Sequence, residues 1–149
     1  SNQYLLTQTD VGAKIRVIVK TDVVNIGNVQ STLTEIIQNM NNPPEGNVII
    51  TGTAFPTFTI QADTSTITDV DGINQTSWEY QWLRNDQNIT VNANSPTYML
   101  VDADANKNIK CKVTYTDLVH NIAIVTSAPI SVGSKATPII TGTPEEDQT

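Results

Sequence analysis

Apolar and polar residues alternate through most of this chain. Val48-Ile49-Ile50 opens one long stretch, and Phe58 and Ile60 follow two apart. Trp78, Tyr80 and Trp82 alternate with Ser77, Glu79 and Gln81. Further on come Tyr98 and Leu100, then Ile109, Cys111, Val113 and Tyr115 interleaved with Lys110, Lys112 and Thr114, and finally Ile122, Ile124, Ala128 and Ile130. A side-chain period of two marks strands with one buried face, so this region predicts about seven short strands separated by Asp, Asn, Gly and Pro. No helical stretch offers a parallel crossover, and the pattern therefore calls for an antiparallel two-sheet sandwich. The expected core is Trp78, Tyr80, Trp82, Tyr98, Leu100, Ile109, Cys111 and Val113, with the three aromatics at 78, 80 and 82 on one face. The one helix-like segment, 33–40, reads instead as the end of a strand running into a connector. Pro43-Pro44 disfavours helix there and stiffens an extended link.

The strand pattern is itself repeated. Ile-Ile-Thr-Gly-Thr occurs at 49–53 and again at 139–143, with six residues after the second copy. Tyr4, Leu6, Asp10 and Lys14-Ile15-Arg16-Val17 overlay Tyr98, Leu100, Asp104 and Asn108-Ile109-Lys110-Cys111 at a constant offset of about 94 residues. Thr21-Asp22 then falls on Thr116-Asp117 and Ser31-Thr32 on Thr126-Ser127, so one residue is gained or lost on the way. A unit of roughly 90 to 95 residues has the size of a small sandwich domain. On this reading residues 1–38 are the C-terminal half of one repeat, 39–43 a linker, 44–133 a complete repeat, and 134–149 a linker with the first strand of a third. Both ends of the sequence are expected to fall inside repeats.

Composition narrows the partners. Only 15% of residues are charged, the formal net charge is -7 and the pI is near 4.4. Such a surface repels nucleic acid. Cys111 is the single cysteine, so no internal disulfide can form and the fold rests on apolar packing. No apolar run is long enough to insert in a membrane as a helix. Catalytic chemistry finds little support: His120 is the only histidine, the carboxylates are shared evenly among turns, and no phosphate loop or Cys/His metal cluster is present.

The stretches WEYQWLRNDQNI (78–89) and SPTYMLVDADANKNIKCKVTYTD (95–117), with IITGT and ADTSTITDVDG ahead of them, resemble the tandem immunoglobulin-like, cadherin-like repeats of large bacterial surface and secreted adhesins. The resemblance covers almost the whole chain. It implies an all-β immunoglobulin-like fold in tandem, an extracellular or cell-surface location, and neighbouring repeats as partners. It makes Trp82 the core tryptophan of the third strand. Cys111 takes the place of the second cysteine of disulfide-bonded relatives, with an apolar residue such as Ile60 opposite. It also implies a calcium position between repeats. Asp69 and Asp71 lie in the loop after the second strand, Asp117 precedes the last hairpin loop at the same end, and Asp10 would face them across the linker with Glu45. Ca2+ takes six to eight oxygens, several from carboxylates. The same residue types also build turns and keep a surface solvated, and Asp104, like Asp10, suits a hydrogen bond to its own turn.

The function expected is therefore a non-enzymatic structural segment of a long extracellular adhesin or fibre. The alternatives are a phage or virus fibre or surface-decoration module, located on the virion, and a carbohydrate-binding accessory module. The last would need exposed aromatics, whereas both tryptophans are expected inside. Leu6, Ile15, Val17 and Val19 need a cover that residues 1–38 do not supply, and each apolar side chain left wet costs roughly 1.5–3 kcal/mol. The segment is accordingly expected to be disordered alone, or completed by identical chains in a filament or by further repeats.

Overall fold

Strands form over most of the alternating stretches, and the computed structural model describes residues 3–20 and 27–134. Ten strands occur among these: β1 (Ile18–Val19), β2 (Val29–Gln30), β3 (Ile49–Gly52), β4 (Thr59–Asp63), β5 (Glu79–Arg84), β6 (Gln87–Asn88), β7 (Thr97–Met99), β8 (Asn108–Thr116), β9 (Ile122–Thr126) and β10 (Ile130–Ser131). Two short 3-10 turns, Gln8–Asp10 and Asp102–Asp104, are the remaining elements, and the protein is all-β among its described residues. One sheet has the order β3-β4-β7. A second runs β10-β8-β5-β6, with β9 also paired to β8, and β1 pairs β2 in a third. The pairing is antiparallel, with Ile60 opposite Tyr98, Leu83 opposite Asn88 and Ile109 opposite Ile130.

The chain divides into two compact units. One draws on the segment up to Gly46 with Thr66–Trp78 and Thr114–Ile124; the other draws on Asn47–Ser65, Glu79–Val113 and the segment from Val125 onward. In the second unit the core comes from both larger sheets. Ile60, Ala62 and Tyr98 are buried from one, and Trp82, Ile109, Cys111 and Val113 from the other. Leu100 is buried just past β7. Trp82 stacks on Tyr98 with ring centroids 5.7 Å apart. β8 keeps strict alternation, so its β-branched and aromatic residues fit a half-buried pleat.

Three expectations are corrected here. Trp78 and Tyr80 are only half-buried: Trp78 lies before β5 begins, where it packs on Tyr115 and donates its indole N–H to Gln75. Ile122 and Ile124 face outward, because the Ser127 N–H donates to the Cys111 carbonyl and the Ser127 hydroxyl accepts from the Cys111 N–H. That reciprocal pair sets a register in which Ser127 is buried, and a strand has no freedom to turn the opposite parity inward. The apolar letters at 122 and 124 thus marked a strand but not its inner face.

The third correction concerns residues 1–38. Residues 12–17 pair with 31–37 through Gly12 N–H to Ile37 O, Ile37 N–H to Ala13 O, Thr34 N–H to Ile15 O and Ser31 N–H to Val17 O. Together with β1 and β2 they make a long hairpin. Val17 and Val19 are exposed on it and Ile15 is half-buried, while Leu6, ahead of the 3-10 turn, is exposed as well. Strand pairing here does not wait for another chain; what the hairpin lacks is a cover for its apolar face. The first strand placed in 137–149 lies outside the described residues.

Gly46 closes the connector in the first unit. Its φ is +92, and a Cβ there would fall on the carbonyl oxygen of Thr66. Both the backbone and the space forbid a side chain, so Gly46→Ala is expected to destabilise the protein by about 1 kcal/mol or more, read from urea unfolding midpoints.

Candidate functional site

The most elaborated polar group in the second unit is built on the turn after β7. Asp104 is fully buried there and accepts three hydrogen bonds: from Arg84 Nε at 2.6 Å, from the Tyr98 hydroxyl at 3.0 Å and from the Val101 N–H at 2.8 Å. The local cause is the 3-10 turn Asp102–Asp104, which folds the carboxylate back onto the N–H of Val101. Asn106 follows with φ +59 and donates its N–H to Val132. The hydrogen bond to Asp104 raises the guanidinium pKa of Arg84 further. Burial first, and Asp104 second, push the Tyr98 phenol up to about 12. Charge-assisted bonds of this kind are the stronger class, and a buried carboxylate with three donors is satisfied.

The same turn is built a second time, 94 residues earlier. The 3-10 turn Gln8–Asp10 lets Asp10 accept from the Thr7 N–H at 2.8 Å and from the Tyr4 hydroxyl at 3.0 Å. Gly12 follows with φ +80 and donates its N–H to Ile37, as Asn106 does to Val132. The Thr7 N–H chiefly holds the Asp10 carboxyl below its ordinary range, and the bond to Asp10 raises the Tyr4 phenol. The surroundings differ. Tyr4 is 67% exposed, and beside it opens a cleft of about 310 Å3 lined by Tyr4, Asp10, Ile15, Arg16 and Val17.

The acidic loops lie in the first unit. Asp69 Oδ1 accepts from the Asp71 N–H at 2.9 Å, and Asp69 Oδ2 from the Tyr115 hydroxyl at 2.5 Å. Burial and then Asp69 raise the Tyr115 phenol. Asp71 is 5% exposed; its Oδ2 accepts from the Asn42 N–H at 2.6 Å, and its Oδ1 is buried with no partner among the described residues. Glu45 pairs its backbone with Thr68 in both directions. Asp117 closes its own loop, accepting from Val119 N–H and Asn121 N–H on Oδ1 and from Asn121 Nδ2 on Oδ2.

The five expected calcium ligands, Asp10, Glu45, Asp69, Asp71 and Asp117, are not gathered into an ion cage. Among the described residues no three His, Cys, Asp or Glu side chains form a group that could hold a metal ion. The reason is visible in the bonds above, since Asp10 and Asp117 turn their oxygens onto donors of their own turns, and Asp69 onto the Asp71 N–H and the Tyr115 hydroxyl of β8. Turn building, the plainer use of these residues, accounts for Asp10, Asp69 and Asp117.

Asp117 carries a pH signature. Burial raises its pKa, but the donors from Asn121 and Val119, with His120 nearby, outweigh burial and leave it below the ordinary carboxylate value. A depressed carboxylate contributes stability above its unfolded pKa and loses it as pH falls through the folded one. Asp117→Asn is therefore expected to weaken the protein at neutral pH, with the gap to wild type closing in acid, as urea midpoints taken from pH 7 to pH 2 will show.

Cys111 is fully buried, and burial pushes its thiol up to about 12. A thiol that is neither ionised nor exposed is inert. The native protein should not react with an aromatic disulfide reagent, and denaturant should release one equivalent of reactive thiol. His120 stands at φ +73 in the loop closed by Asp117, its N–H donating to the Asp117 carbonyl.

Sequence reasoning placed Asp104 and Asp10 in equivalent turns but missed Arg84 as the partner of Asp104. The shared six-residue spacing from Tyr4 to Asp10 and from Tyr98 to Asp104 signals the Tyr-Asp pair but not Arg84. Compared with protein-family models, curated proteins and solved structures, the chain has no match in any of the three.

Proposed function

We propose that this chain is a non-enzymatic structural segment of a long extracellular adhesin or fibre, made of immunoglobulin-like sandwich repeats in tandem that act as spacers. The observation that carries this reading is the Tyr-Asp turn built twice at an offset of 94 residues, down to the bonds received by the carboxylate and the positive φ two residues later. A recurring hydrogen-bond pattern at domain spacing is what serial duplication of one module leaves behind. The antiparallel sheets, the acidic surface and a connector containing Pro43 and Pro44 suit stacked modules that give reach and stiffness. Neighbouring repeats of the same protein, or identical chains, are the partners this role requires.

Immunogold electron microscopy with antibodies raised against this chain tests the role. Label at intervals along filaments outside the producing cells is the expected result. Label confined to the cell interior overturns it, and label on virus particles replaces the adhesin with a virion fibre.

A further inference from the structure

The repeated turn supplies its own template for what could cover its first copy. At the second copy three side chains each meet a partner from the strand and turn 82–86. Tyr98 is stacked against Trp82, Asp104 receives Arg84 Nε at 2.6 Å, and Lys110 Nζ pairs with Asp86 at 2.7 Å. Asn85 adds a backbone clamp, its N–H donating to the Asn108 carbonyl and its Oδ1 accepting from the Asn108 N–H. At the first copy the offset of 94 places Tyr4, Asp10, Arg16 and Lys14 at the corresponding positions. Among the described residues the partners of Asp10 are Tyr4 and Thr7, and the cleft beside it is lined by Tyr4, Asp10, Ile15, Arg16 and Val17. The same aromatic ring and carboxylate, followed in the same order by a cation, Arg16 in place of Lys110, stand beside an open cleft where their counterparts meet partners.

We propose that the Tyr4-Asp10-Arg16 face is a docking socket for a half repeat of the kind built by residues 44–94, read through a strand-and-turn of pattern Trp-x-Arg-x-Asp. The indole stacks on Tyr4, the guanidinium completes Asp10, and the turn carboxylate pairs with Arg16. Charge complementarity selects this occupant, since it brings a cation to Asp10 and an anion to Arg16, in the order found at Asp104 and Lys110. A strand lacking the arginine would bury a carboxylate without its counter-charge, which disfavours it. This deepens the repeat reading above and rests on it. The residues that recognise the occupant are Tyr4, Asp10 and Arg16, while Ile15 and Val17 supply apolar area.

The test keeps the full 149-residue protein and adds a copy of residues 44–94 directly before Ser1, which stands where Ser95 follows Asn94. Amide hydrogen exchange at Lys14, Ser31 and Thr34 is compared with and without the addition. Exchange at these sites is expected to slow by about tenfold or more, because an isolated hairpin protects its amides poorly. Arg84→Met in the added copy, which keeps length and removes charge, is expected to lose most of that protection, and Arg84→Lys to retain part of it. Equal protection with Arg84→Met would overturn the socket while leaving the repeat reading intact. No protection from the unsubstituted addition would overturn both. Protection that grows with concentration in the original protein would make a second copy the occupant and overturn the assignment.

Discussion

Asp104→Ala is expected to lower the stability of the protein by about 3 kcal/mol, the lower end of the cost of breaking a buried pair. The substitution removes the acceptor of three donors at once and leaves Arg84 facing a void. Arg84 keeps 29% of its side chain exposed, so water can partly solvate the stranded cation, which is why the low end applies. Tyr98 has no such recourse. Its hydroxyl is buried, and an unsatisfied buried donor costs about 1–3 kcal/mol by itself. Equilibrium urea unfolding followed by tryptophan fluorescence reads the change in midpoint. A loss below about 1 kcal/mol, the range of an exposed ion pair, would mean that the group does not organise the turn. Asp10→Ala provides the contrast, because the same bonds lie in an exposed turn there, and its midpoint should stay close to wild type.

Trp82→Ala is expected to cost about 3–5 kcal/mol, the range for removing a large aromatic from a core. The indole is fully buried, lies 5.7 Å from the Tyr98 ring, and donates its N–H to the Ser95 carbonyl at 2.9 Å. Alanine leaves a cavity under the Tyr98 ring and strands that carbonyl. Its backbone bonds to Ala93 and Ile89 survive, so the damage is one of packing. Thermal unfolding followed by far-ultraviolet circular dichroism measures it. Trp78→Ala should cost distinctly less, since Trp78 is half-buried and its contact is with Tyr115 at the strand margin. Equal losses at the two tryptophans would contradict this division of the core.

The sequence was most legible where one strand stated its inner face without competition. In β8 the letters Ile109, Cys111, Val113 and Tyr115 are buried as the alternation requires. Legibility fell where a polar residue controlled register: Ser127 goes inward through its bonds to Cys111, and Ile122 and Ile124 are carried outward. Nothing in the period of a strand distinguishes these two cases. The turns were half-legible. Aspartate at 10 and 104 announced a turn, but the partner of Asp104 comes from twenty residues earlier, a distance set by pairing between strands rather than by spacing along one. The acidic loops misled for a related reason. Several carboxylates close in sequence suggest a shared ion, yet donors of the protein itself stand nearer at hand, and Asp117 alone takes two backbone N–H groups and the Asn121 side-chain amide.

The connector has a mechanical consequence. It is fastened at Asn42 through its bond to Asp71 and at Glu45 through its two bonds to Thr68, with Pro43 and Pro44 between. Three residue steps span at most roughly 10–11 Å when extended, so the two fastenings lie within that distance of each other along the chain. Tension drawn along the chain would load both fastenings together instead of peeling one after the other. A pull on such a joint would be shared by the bonds at Asn42 and Glu45 until both gave way.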